Sequence, residues 1–231
     1  IGMRPAEGLL SDEDIQRAID TAVTFGGLQS MRKMPDGSTR TYEINIALFD
    51  ALKGTIEGED EWNVERFLCS QIITMGLEGI PGFYIHSLLA TGNDYEGVAK
   101  TGHNRAINRH RWHYPDLIDQ LDDPGSRHAR VFGALTDILK KRSKQPAFHP
   151  NATQFTLQLG EQFFGFWRQS MDRSQSIFAI HNLTSETTSI PVMSLNLIGG
   201  ETWKDLISGD VVSELGGELT FAPYQCRWIT N

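Results

Sequence analysis

The sequence predicts an α/β segment followed by an all-β domain, with the change of texture near residue 150. Three observations carry this. Apolar residues recur at helical spacing in several stretches before residue 150, and that periodicity is lost after it. A short apolar run at residues 80–85, marked by Gly79, Pro81 and Gly82, lies between helical stretches and reads as a buried strand of a parallel α/β unit. From about Asn151, short β-prone runs alternate with Gly, Asp, Ser and Thr turns.

Each element follows from local chemistry. Ser11 followed by Asp14 resembles a capping box, and Ile15, Ala18, Ile19, Ala22 and Val23 then repeat at helical spacing until Gly26-Gly27 stops the helix. Residues 28–45 read as a hairpin or long loop turning at Pro35-Asp36-Gly37. Residues 50–58 are a short connection, and the acidic run 57–61 is a solvated surface. A second helix is expected over about 62–77, with Val64, Phe67, Leu68, Ile72 and Met75 inward. The strand at 80–85 follows, then a polar loop over roughly 87–112. Val131, Leu135, Ile138 and Leu139 place a third helix at about 127–142, whose Lys140, Lys141 and Arg142 suit its negative end. Strands are then expected at 155–159, 162–168, 176–182, 189–193 and 218–228, together an antiparallel sandwich. A lone strand at 80–85 cannot satisfy its own edges, so something preceding it is expected to complete the sheet.

Composition narrows the partners. The 231 residues carry 21 Lys+Arg against 29 Asp+Glu, a net charge of -8, which disfavours nucleic acid and anionic membrane as main partners. Neither a signal peptide nor an apolar run of membrane length is visible in the sequence, so a cytoplasmic protein is expected. The chain opens without a start methionine, as though cut from a longer one. Cys69 and Cys226 match no zinc or redox spacing and read as buried free thiols. His103, His110 and His113 sit among arginines without ligand spacing and read as surface-loop residues, so no metal is expected. Phe163, Phe164, Phe166 and Trp167 suit a sandwich core better than a carbohydrate-binding face.

Two segments carry candidate binding chemistry. Arg105 and Arg109 lie four apart beside Asn104 and Asn108, and a guanidinium fork suits vicinal hydroxyls or carboxylates. The competing reading is an arginine that ties a loop to its scaffold. Tyr42 and Glu43 pair a ring that can stack on a sugar with a carboxylate that accepts hydroxyl hydrogen bonds. An ordinary strand with one exposed acid is the plain alternative.

Read together, these segments resemble the sucrose phosphorylase group of the α-amylase superfamily. The opening ten residues are similar to the sequence after that family's His-Asp-Gly motif. Tyr42-Glu43-Ile44-Asn45 with Asp50-Ala51-Leu52 resembles its substrate-binding loop. Arg66 to Gly82 resembles the approach to barrel strand eight, and Asn93-Asp94 with Asn104-Arg105-Ala106-Ile107-Asn108-Arg109 the loop behind it. Gln145 to Pro150 resembles the hinge to the C-terminal sandwich.

The resemblance implies residues 1–149 as the C-terminal portion of a (β/α)8 TIM barrel, and 150–231 as an antiparallel β-sandwich. It implies a retaining phosphorylase that moves a glucosyl group from an α-glucoside to phosphate through a covalent glucosyl-enzyme, giving α-glucose 1-phosphate. Phosphate is then a co-substrate, with no cofactor or metal. Arg105 would hold the glucose, and Tyr42 and Glu43 would line the acceptor side. The catalytic carboxylates would lie upstream of Ile1, leaving this chain inactive alone. Typical sucrose phosphorylases carry Gln where Glu43 stands, which leans toward a glucosylglycerate or sucrose 6′-phosphate substrate. The alternatives are a hydrolase or transglucosidase of the same superfamily, or a non-catalytic carbohydrate-binding or structural module. The acceptor and any homo-oligomer stay open.

Overall fold

A computed structural model of the protein describes residues 2–6, 8–195, 197, 202–212 and 216–231. Ile1 and Glu7 of the opening decapeptide lie outside the described residues. The chain divides into two compact units, residues 1–67 with 83–132 and residues 68–82 with 133–231.

The first unit begins with helix α1, Asp12–Thr24. Ser11 caps it as expected, its hydroxyl accepting the Asp14 N–H at 3.1 Å and donating to the Asp14 carboxylate at 2.6 Å. Gly26 at φ 92° and Gly27 end it, the Gly27 N–H donating to Ala22 O at 2.8 Å. Strands β1 (Leu28–Lys33) and β2 (Thr39–Asn45) form the antiparallel hairpin. Its turn is tightened by Asp36, whose carboxylate accepts the Ser38 N–H at 2.9 Å. Ile19, Phe25, Ile44 and Ile46 bury one cluster beneath the hairpin and α1. Helix α2 (Leu48–Ala51) and the two-residue strands β3 (Gly54–Thr55) and β4 (Gly58–Glu59) follow, and helix α3 runs Asn63–Gly76.

The strand expected at 80–85 is not formed. Residues 80–84 are irregular, Ile80 is 85% exposed, and the short helix α4 occupies Ile85–Leu88. Pro81 has no N–H to give a ladder, and among the described residues no strand runs beside this segment to pair with it. The polar stretch read as a loop contains helix α5, Tyr95–Thr101, and a 3-10 turn at Asn104–Asn108. Asp94 caps α5 and Gly102, at φ 69°, terminates it. Helix α6, Tyr114–Asp122, was not anticipated, while α7 spans Arg127–Arg142 as its periodicity requires.

The second unit is mostly antiparallel sheet. Strands β5 (Thr153–Leu157), β6 (Phe163–Gln169), β7 (Ser176–Asn182), β11 (Cys226–Thr230) and β9 (Lys204–Asp205) pair in the order β5-β6-β7-β11-β9. A separate pair joins β8 (Thr188–Pro191) to β10 (Glu218–Phe221). The single strand expected at 218–228 is thus two strands in two sheets. Pro223 cannot donate to a ladder, and the chain reverses at Tyr224, φ 53°, with the Gln225 N–H on Ala222 O. Phe163, Phe178, Ile180 and Ile229 from the larger sheet meet Ile190, Leu219 and Phe221 from the smaller one in a common core.

Arg168 and His181 are among the fully buried polar residues of this unit. The Arg168 guanidinium donates to Gly76 O at 2.9 Å, His149 O at 2.9 Å and Ala152 O at 3.3 Å, so a strand-interior cation is held by carbonyls. Burial pushes the His181 imidazole down to about 4. Cys69 and Cys226 are free and buried, and burial raises the Cys226 thiol. No helix among the described residues is long and apolar enough to cross a membrane.

Candidate functional site

Three of the residues singled out from the sequence, Tyr42, Glu43 and Arg105, meet in the first unit. In a regular strand Tyr42 and Glu43 would face opposite ways. Here Ser30 pairs with Glu43 and Met31 with Thr41, so Tyr42 is an extra residue of β2 with no partner in β1. A bulge of this kind re-aims a side chain. Both Tyr42 and Glu43 therefore reach the same guanidinium.

That guanidinium is Arg105, on the 3-10 turn Asn104–Asn108. Its Nη2 donates to Glu43 Oε2 at 2.8 Å and to Tyr42 Oη at 2.8 Å, and its Nε donates to Glu43 Oε2 at 3.3 Å. The turn is anchored by fully buried Ile107 and by Asn104, whose Nδ2 donates to Gln29 O at 3.1 Å. The Arg105 hydrogen bond holds the Glu43 carboxyl below its ordinary value, with burial opposing, and Glu43 raises Arg105 in return. The arginine side chain is 56% exposed and the glutamate 19%. Such a pair keeps Glu43 ionised at neutral pH and leaves the guanidinium facing solvent.

Behind Arg105 opens a cleft of about 890 Å³, lined among others by Lys100, Arg109 and Arg111 on one side of the charge balance and Asp94 and Glu96 on the other. Its excess of cations suits an anionic ligand. Arg109, the second arginine singled out from the sequence, lines this cleft, and so do Lys100 and Arg111, which were not singled out. Their signal was only their place among cations in a polar loop.

Around the site the histidines do structural work. His110 Nδ1 lies 3.2 Å from Asp94 Oδ2, and its ring meets Trp112 edge-on at 4.8 Å. Trp112 Nε1 donates to Thr91 Oγ1 at 3.0 Å, and His86 Nδ1 sits 3.2 Å from the same hydroxyl. Burial, then the nearby His110, lowers the His86 imidazole. His103 and His113 are exposed. Among the described residues no group of three or more His, Cys, Asp or Glu is placed to hold a metal ion.

No protein-family model matches the chain. By sequence it groups with the sucrose phosphorylases and their relatives, and the solved structures sharing its fold include α-amylase-type enzymes. Within that group the likeness runs end to end with glucosylglycerate phosphorylases. The chain is 34% identical over 232 residues to that of Allomeiothermus silvanus, covering 100% of this chain and 39% of the relative. It is 37% identical over 238 residues to that of Spirochaeta thermophila, covering 100% and 40%. The solved sucrose 6F-phosphate phosphorylase from Thermoanaerobacter thermosaccharolyticum superposes with a TM-score of 0.65 at 22% identity, over 94% of this chain and 37% of that one, which speaks to fold. The chain spans about two-fifths of the length of the curated relatives it matches.

Proposed function

We propose that this chain is the C-terminal part of a retaining glycoside phosphorylase acting on glucosylglycerate, or on sucrose or its 6′-phosphate. On this reading residues 1–149 complete a (β/α)8 barrel and 150–231 form an antiparallel β-sandwich. One observation carries the proposal: Arg105, Tyr42 and Glu43, which the family resemblance assigns to the sugar site, converge on one another across 62 residues of sequence, and Arg105 also lines a cationic cleft.

The chemistry follows the retaining pattern. A carboxylate nucleophile from outside this chain takes the glucosyl group, a second carboxyl protonates the leaving glycerate, and phosphate then attacks the covalent intermediate. Arg105 directs N–H donors at glucose hydroxyls, for which the rigid fork is preorganised. Ionised Glu43 fixes that fork and repels a misplaced anion. Tyr42 offers a ring face and a hydroxyl to the acceptor. Lys100, Arg109 and Arg111 favour the anionic partners of the reaction, phosphate and a carboxylate-bearing acceptor. No cofactor is required, and a cytoplasmic setting fits a phosphorolytic enzyme that draws on phosphate.

The test uses the natural polypeptide containing this chain. Incubated with glucosylglycerate and phosphate it should release α-glucose 1-phosphate, while residues 1–231 alone should release none. Free glucose formed at the same rate without phosphate would point to a hydrolase instead. Product from residues 1–231 alone would overturn the assignment of the carboxylates to a region outside it.

A further inference from the structure

We propose that the dipeptide Asn93-Asp94 is the positioning element that sets Arg105 against Tyr42 and Glu43. Asn93 is bound to the segment that directly follows β2. Its Oδ1 accepts the Ala47 N–H at 2.8 Å, and its own N–H donates to Asp50 Oδ2 at 2.6 Å. Its Nδ2 also reaches Phe25 O, at the end of α1, at 3.4 Å. Asp94 is bound to the segment that carries Arg105. Its N–H donates to Ile107 O at 2.7 Å, two residues beyond Arg105. Its Oδ1 accepts the Gly97 N–H at 2.7 Å, and its Oδ2 lies 3.2 Å from His110 Nδ1.

The two sides of the site are thus moored to adjacent residues. Consecutive Cα atoms are about 3.8 Å apart and the peptide between them is planar, so the separation of the two moorings is nearly fixed. At Gly92 the backbone passes close to the Asp50 carboxylate that accepts the Asn93 N–H, since a Cβ there would lie 3.1 Å from Asp50 Oδ2 and 2.9 Å from Arg127 Nη2. Without the dipeptide, the turn would keep Asn104 on Gln29 O, and Arg105 its half-exposed contacts with Glu43 and Tyr42, and surface contacts of that kind hold little on their own.

Only the catalytic consequence of this clasp rests on the phosphorolytic reading; its geometry is testable on residues 1–231 without any substrate. The probe is the Glu43 side-chain carboxyl, followed by carbon-13 NMR as a function of pH, with Arg105→Gln marking the midpoint reached when the pair is lost. Asn93→Ala, which removes the acceptor for the Ala47 N–H, should raise the Glu43 midpoint by at least half of the Arg105→Gln shift, and Asp94→Ala, which keeps the backbone bond to Ile107 O but loses the side-chain hold on Gly97 and His110, by at least a quarter. Removing the Asp94 negative charge would by itself lower that midpoint, so a rise reports loss of the arginine. Should an alanine variant fail to fold, Asp94→Asn keeps the cap acceptor for Gly97 while placing an amide against His110, and a rise of at least a quarter is expected. A Glu43 midpoint unchanged from the parent in the folded variants overturns the proposal. A displaced midpoint together with undiminished phosphorolysis in the natural polypeptide would fault the role given to Arg105, not the clasp.

Discussion

Replacing Arg105 by lysine separates a fold contact from a sugar contact, because the two roles predict losses of different size. As a fold contact, the arginine joins Glu43 and Tyr42 from a side chain that is 56% exposed. Pairs of this exposure are worth about 0–1 kcal/mol, and lysine keeps the charge while losing the fork. The melting temperature of residues 1–231 should therefore fall by no more than about 2–4 °C, the shift that about 1 kcal/mol gives a chain of this size. As a sugar contact, the guanidinium directs charged donors at hydroxyls. Each such bond is worth about 1.5–3 kcal/mol, and losing the geometry of the pair amounts to about 3 kcal/mol. That is about a hundredfold in kcat/KM for phosphorolysis by the natural polypeptide. The assay is initial-rate release of α-glucose 1-phosphate, run beside thermal melts of the same variants. A kcat/KM within about threefold of the parent, alongside the small expected change in melting, would refute the sugar role.

Three further outcomes follow from the two units. Arg168→Met keeps the apolar stem but leaves Gly76 O and Ala152 O without their guanidinium donor, so urea unfolding should report a loss of about 2–4 kcal/mol; equal or greater stability would sink the account. His181 is buried and neutral, with a folded value of about 4 against an ordinary one near 6.5. Between those pH values the unfolded chain binds the extra proton, so stability is full above about pH 6.5 and declines as pH falls toward 4, by up to about 3 kcal/mol. His181→Phe should flatten that part of the pH profile, and an unchanged slope would exclude His181 as its source. Gly92→Ala would place a Cβ 2.9 Å from Arg127 Nη2, the far end of a flexible side chain, and 3.1 Å from the Asp50 carboxylate; the arginine should yield, so urea unfolding should report a loss of no more than about 1 kcal/mol, and a larger loss would mean that Asp50 is held rigidly.

What the sequence reveals here depends on how local the cause is. Helix α1 is readable because Ser11, the helical repeat and Gly26-Gly27 all act within a few residues. Helix α7 is readable from its period alone. The strand expected at 80–85 was not, because a strand exists only through a partner and this segment has none among the described residues. Helix α5 is too short to display a period, although Asp94 and Gly102 mark both its ends. The division of 218–228 was signalled by Pro223, whose missing N–H outweighs the β-prone residues around it.

The candidate site shows the same boundary between local and distant causes. Residue type was enough to raise Arg105, Tyr42 and Glu43 one at a time, and the resemblance set them in a common role. Their contact depends on two things that residue type does not carry. One is the mooring of the Arg105 turn through Asp94 and Ile107. The other is the extra residue in β2. Strand alternation sends neighbours to opposite faces, so a regular hairpin could offer Arg105 either the Tyr42 hydroxyl or the Glu43 carboxylate. The shift of register between Ser30 and Met31 removes that choice and delivers both to a single guanidinium nitrogen. An irregularity that weakens the ladder by one pairing is therefore what assembles the site.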